Sequence, residues 1–256
     1  MLLRSENPAH PIPVLLLLAL VVLGLPVSLE AQIPEEYSNL QVLEPDISRG
    51  DLVGIMRGFA GGLGVRCNFC HVGEDPNDFT GYDWASDEQE VKGVARRMMQ
   101  MVADINEEHL PGAGRGAGVQ VQCATCHGGV RIPIQIGDLL LQTLDSDGAE
   151  AALAEYRSLR EEYYGRAAYD FGQNPLNQVT ESLARRGDLE EALAIIRVNT
   201  EYNGDSPFPH VLEAQILMEM GNREDAVRAM ERAVELDPES EQLRALLERM
   251  RSGGSG

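Results

Sequence analysis

Residues 91–129 read VKGVARRMMQMVADINEEHLPGAGRGAGVQVQCATCHGG: a methionine-bearing helical segment, a glycine-rich loop, then Cys123-x-x-Cys126-His127. Cys-x-x-Cys-His is the attachment signature of a c-type haem. Two cysteines at this spacing can each form a thioether with a haem vinyl group, and the next residue, His127, can bond the iron from one side. A methionine on the opposite face gives Met/His ligation, which holds a cytochrome iron at a raised potential. A second copy, Cys67-x-x-Cys70-His71, uses the other two cysteines of the chain. Cys67, Cys70, Cys123 and Cys126 are thus the expected haem anchors, and His71 and His127 the expected iron ligands.

Paired Cys-x-x-Cys motifs also build zinc sites, but these usually stand about 15–20 residues apart. Here 52 residues separate Cys70 from Cys123. Neither a disulfide nor thioredoxin-like chemistry requires a histidine directly after each pair.

The opposite iron ligands are sought upstream of each motif. Leu52, Met56 and Phe59 form one apolar stripe, which predicts a helix over 48–60 broken by the glycines at 61, 62 and 64. Met56 stands eleven residues before Cys67, where a tight turn could carry its thioether back over the haem; a gap-filling core methionine is the competing reading. Residues 72–85 are irregular, and Trp84 is expected against a haem edge or the next helix. Ser86 with Gln89 makes a capping-box pattern opening a helix to about Glu108. Its buried face is expected to hold Val91, Val94, Met98, Met101 and Ile105, with Met99 turned away. His109, at its end, is a rival ligand or a cation near a helix C-terminus. Residues 111–118 read as a flexible connection, and Arg131 as a partner for a haem propionate or for solvent.

Composition bounds the remainder. The chain has 256 residues, is 43% hydrophobic and carries a formal charge of −20 with a single lysine, Lys92, which argues against nucleic acid as a partner. Arg4 precedes an apolar run over 12–25, and Leu29-Glu30-Ala31 offers a cleavage site. Residues 1–31 are therefore expected to be an export signal, the run being short of the roughly 20 apolar residues that span a bilayer; an uncleaved anchor is the alternative. Export suits the motif, because bacterial c-type haem is attached outside the cytoplasm.

Beyond residue 137 the chain repeats. Gly187-Asp188-Leu189-Glu190-Glu191-Ala192-Leu193 aligns with Gly221-Asn222-Arg223-Glu224-Asp225-Ala226-Val227 at an offset of 34, the tetratricopeptide period. Helices are expected over 175–186, 189–202, 209–220 and 223–236, with a terminal capping helix over 239–250 and a degenerate half-unit over 148–164. The expected fold is mainly α. A leader (1–31) precedes a dihaem cytochrome c domain (32–137), tetratricopeptide-like repeats with a cap (138–251), and a loose tail (252–256). Two repeats fall short of the three or so that stand alone, so the repeats are expected to dock on the haem domain and to need it.

Residues 36–133 resemble the cytochrome c subunit of photosynthetic reaction centres. The matching pieces are NLQVL (39–43), the Met56 segment before CNFCH (67–71), ARRMMQM (95–101) with DIN (104–106), and GVQVQCATCHGG (118–129). The resemblance implies a methionine helix before each motif that supplies the sixth iron ligand: Met56 for the haem at Cys67 and Cys70, Met98 for the haem at Cys123 and Cys126. Such subunits usually carry four haems; this chain has two motifs, no lipidation cysteine after its leader, and a repeat tail.

The expected function is that of an exported, periplasmic or outer-face dihaem carrier, binding two haem c groups covalently and relaying electrons between redox proteins. Partners include a reaction-centre or respiratory complex. With Met/His ligation on both irons no position is open for substrate, so no enzymatic activity is expected; a dihaem peroxidase and a haem-bearing scaffold are the rival readings. The haem region 32–137 holds 8 basic and 15 acidic residues, and 138–256 holds 12 and 24. Such a field favours partners with a basic docking face.

Overall fold

The structure, a computed structural model, describes residues 34, 36–111 and 118–253. The expected leader, most of the glycine-rich loop and the last three residues lie outside the described residues. Those described are mainly helical, with no strand among them, and none of their helices is long and apolar enough to cross a membrane.

Helix α1 (Arg49–Leu63) is capped by the Ser48 hydroxyl, which accepts from the Asp51 amide at 3.1 Å. The expected break at Gly61-Gly62 does not occur: the helix runs through the pair and ends at Gly64, whose φ of 65° is the left-handed conformation glycine adopts freely. The pair serves a close approach instead. A Cβ on Gly62 would lie 3.0 Å from the Ala124 amide nitrogen, and the Gly62 carbonyl accepts from the Gly129 amide at 2.9 Å. The end of α1 is thereby laid against the second cysteine motif.

Helix α2 (Val91–Asp104) continues as a π-turn, Ile105–His109. The expected capping box is absent: the Ser86 hydroxyl accepts from the Glu88 amide at 3.1 Å, making a local turn, and the helix opens later. The second motif itself forms a short helix, α3 (Cys123–His127).

Seven further helices follow: α4 (Ile136–Asp147), α5 (Ala149–Tyr163), α6 (Gln173–Arg186), α7 (Leu189–Asn203), α8 (Pro207–Glu219), α9 (Arg223–Leu236) and α10 (Glu241–Ser252). The helices expected over 175–186, 189–202, 209–220, 223–236 and 239–250 correspond to α6 to α10 within two residues at each end, whereas α4 answers to no expected helix. What reads as a half-unit is a full hairpin, α4 with α5, so three helix pairs and a cap stack together. Ile136, Leu140, Tyr156, Leu176, Leu183, Ile195 and Leu217 are each 2% exposed or less and belong to one cluster. A second cluster of Val211, Ala214, Met230, Ala233 and Leu247 holds the cap down. The tail therefore has a core of its own. It also meets the haem half, for a Cβ on Gly128 would lie 2.5 Å from the Ala167 carbonyl oxygen.

Candidate functional site

The first motif follows α1 directly. Its 3-10 turn (Cys67–Phe69) bonds the His71 amide back to the Cys67 carbonyl at 3.0 Å, setting both cysteines and the histidine on one tight bend. His71 Nδ1 donates to the Trp84 carbonyl at 3.1 Å. A carbonyl can only accept, so Nδ1 carries the proton and Nε2 keeps a free lone pair. Burial, reinforced by the Lys92 ammonium and opposed by the bond to Trp84, holds His71 below the ordinary imidazole range. The ring is then neutral at pH 7, the form that binds a metal. Trp84 meets the His71 ring edge-on at 5.0 Å between centroids and stacks on Tyr82 at 4.8 Å. Burial also pushes the Cys70 thiol up.

These groups open onto a cavity of about 580 Å³, within the roughly 300–1,000 Å³ of small-molecule and cofactor sites. Cys67, Cys70, His71, Met56, Met99 and Trp84 all line it. The strap at residues 39–43 closes one side. Asn39 there donates to Asp87 at 3.0 Å, and Arg96 from α2 reaches the same carboxylate at 2.8 Å. Those bonds hold the Asp87 carboxyl down at about 2.

The second motif repeats the histidine arrangement. His127 Nδ1 donates to the Val130 carbonyl at 2.9 Å, again leaving Nε2 free. Asn106, just past α2, binds both backbone groups of Val121, accepting from its amide at 2.7 Å and donating to its carbonyl at 2.9 Å. This clamp ties the methionine helix to the segment entering α3. Cys126 lines a second cavity, of about 470 Å³, whose far wall comes from the tail at Tyr169, Asp170 and Val179.

Helix α2 presents two faces rather than one. Lys92, Ala95, Arg96 and Met99 line the first cavity, while Val94, Met98 and Met101 are 45%, 37% and 44% exposed. The expected buried face is thus corrected: Met99 turns inward onto the cavity that Met56 also lines, and Met98 and Met101 turn out. His109 is exposed, and the Arg131 guanidinium lies 5.7 Å over the Phe69 ring, linking the two motifs. Among the described residues no three His, Cys, Asp or Glu side chains converge to hold a metal ion. Sequence reasoning missed the roles of Lys92, Asn106 and the two backbone carbonyls. Carbonyls leave no trace in side-chain identity, but a lone lysine in an arginine-rich chain was a visible signal.

Comparison with known proteins agrees with this geometry. Residues 27–164 match the family model described as the photosynthetic reaction centre cytochrome C subunit, and residues 207–240 match the tetratricopeptide repeat. Over 89 residues the chain is 38% identical to cytochrome c-554 of Chloroflexus aurantiacus, covering 35% of this chain and 20% of that protein. It is 35% identical over 104 residues to the photosynthetic reaction center cytochrome c subunit of Thermochromatium tepidum, covering 39% and 22%. The corresponding subunit of Roseobacter denitrificans is 32% identical over 102 residues, covering 39% and 26%. The matches span about a fifth to a quarter of the length of these curated relatives. The model match takes in both cysteine motifs and more than half of the sequence, so this chain belongs to the photosynthetic reaction centre cytochrome c subunit family.

Proposed function

We propose that this chain is an exported dihaem c-type cytochrome that relays electrons between redox proteins, among them a membrane reaction-centre or respiratory complex. One observation carries the reading: both Cys-x-x-Cys-His motifs hold their histidine by an Nδ1–H bond to a backbone carbonyl, at 3.1 and 2.9 Å. A ring fixed in that way presents Nε2 for an iron, and the outer hydrogen bond raises its basicity as a ligand. Haem, when bound, supplies the one-electron couple; the chain anchors, orients and shields it. The domain boundaries follow as leader 1–31, haem domain 32–137, repeats 138–251 and tail 252–256, with the protein acting in the periplasm or on the outer face of the membrane.

Met56 would hold the iron of the first haem opposite its histidine and Met98 that of the second. The cavity beside Cys67 and Cys70 supports the former; the Asn106 clamp, which ties α2 to the second motif, supports the latter. Haem counting on the purified protein should give two per chain. Met56→Ala and Met98→Ala should each keep both haems attached yet turn one iron high-spin, with loss of half of the weak long-wavelength band that reports methionine–iron bonding. Two low-spin methionine-ligated irons in either variant would sink that assignment, and Met99 or Met101 would then be replaced in turn. An iron that is five-coordinate in the wild type would favour a dihaem peroxidase.

A further inference from the structure

Lys92 is the only lysine in the chain. Its side chain is 12% exposed and its stem lines the first cavity. Taking an ammonium out of water is costly unless it is well bonded. Here the Nζ donates to two backbone carbonyls, Trp84 at 2.7 Å and Ser86 at 2.5 Å. The facing carboxylate, Asp87, stands 4.0 Å away and is taken up by Arg96 at 2.8 Å and Asn39 at 3.0 Å. Lys92 and Arg96 against Asp87 leave one positive charge on the cavity wall, which Asp83, on the same wall, offsets in part.

The Trp84 oxygen is the point of interest, because it also accepts from His71 Nδ1 at 3.1 Å. One carbonyl therefore serves the lysine and the iron-binding histidine together. A carbonyl bonded to a ligand imidazole makes that imidazole a stronger donor to the metal, which favours the ferric state. A cation on the same oxygen draws density away and undoes part of this. The largely covered positive charge also disfavours the more positive oxidised iron directly, in surroundings that screen it less than water does. Both effects push one way.

We propose that Lys92 is a positioning residue that raises the reduction potential of the first haem through the carbonyl it shares with His71. The proposal rests on the dihaem reading, and a wild-type protein lacking two haems or their methionine–iron band would fail that reading before any variant is made. The test is a potentiometric titration of the haem-loaded full chain and of Lys92→Gln. One of the two midpoints should fall by a factor of about ten in the reduction equilibrium, or 59 mV for one electron, while the other stays. Lys92→Arg, which keeps the charge, should recover most of the loss; a lysine that merely fills space would not distinguish these variants. Should Lys92→Gln fail to take up haem, Lys92→Met, which keeps the apolar stem and removes the charge, takes its place with the same expected fall. An unmoved midpoint in the haem-loaded variants, an equal fall at both haems, or an arginine variant as low as the glutamine one would overturn the proposal.

Discussion

Among the described residues before 136, three hydrophobic side chains are buried, Leu52, Tyr82 and Val130; from Ile136 onward there are twenty-two. The halves therefore owe their order to different things. The tail buries apolar surface against itself in stacked helix pairs, each resting on its neighbours. The haem half is held instead by backbone clamps, aromatic contacts around Trp84, and a cavity wall whose apolar lining faces inward. A region with so little protein core depends on what binds it, since a ligand that binds only the folded form adds its binding energy to stability.

The strongest way to break this contrast is to prevent haem attachment by replacing Cys67, Cys70, Cys123 and Cys126 with alanine in the full chain. Residues 36–135 should become protease-sensitive while the tail keeps a cooperative thermal transition. Loss of the tail's transition along with the haem half would make the two a single folding unit. This outcome departs from the expectation that the repeats need the haem domain, because α4 with α5 supplies the third helix pair.

A second test compares equal chemistry in the two halves. Ile195→Ala, at a fully buried site in α7, should cost roughly 2–5 kcal/mol in denaturant unfolding. Ile132→Ala, at a site 73% exposed after the second motif, should stay within about 0.5 kcal/mol. Similar losses at both would erase the distinction.

Charge sharpens the comparison more gently. Both halves are acidic, 8 basic against 15 acidic residues in one and 12 against 24 in the other. Electron transfer with a small basic cytochrome should slow by about tenfold as salt shortens the Debye length from about 30 to 8 Å. With an acidic cytochrome it should quicken. A rate with the basic partner that holds steady across ionic strength would remove the expected basic docking face.

The smallest effect concerns Asp87, whose carboxyl is held at about 2 by hydrogen bonds from Arg96 and Asn39. A depressed carboxylate contributes stability that is present above its unfolded value near 3.9 and lost as pH falls through about 2. Asp87→Asn should therefore flatten the acid limb of a stability profile over that interval and lower stability slightly at neutral pH, where the ionised carboxylate holds Arg96 and Asn39. An unchanged acid limb would mean that the strap at 39–43 does not rely on this carboxylate.

Much of the architecture was legible because it is written in side chains at fixed spacing. The 34-residue offset marked four helices, and the two Cys-x-x-Cys-His motifs marked the tight bends that the structure forms at 67–71 and 123–127. Helix α4 escaped because its partner α5 follows after the single residue Gly148 and neither fits the period. The facing of α2 escaped for another reason: apolar residues occupy two of its faces, at 94, 98 and 101 and at 95 and 99. Periodicity cannot say which face a neighbour covers. The bonds from His71 and His127 escaped because their acceptors are backbone oxygens, and a carbonyl at 84 or 130 is present whatever residue stands there.

Gly128 carries a consequence for how this sequence can vary. It ends α3 with φ of 56°, and a side chain there would press its first carbon to within 2.5 Å of the Ala167 carbonyl oxygen. Two unrelated constraints, the left-handed turn after His127 and the seat of the appended repeats, thus fall on one position. Relieving either alone gains nothing: moving the tail away leaves the turn strained, and reshaping the turn leaves the collision. Substitution at 128 becomes acceptable only through coordinated change in both halves, so the two parts of the chain constrain each other's sequence at this junction.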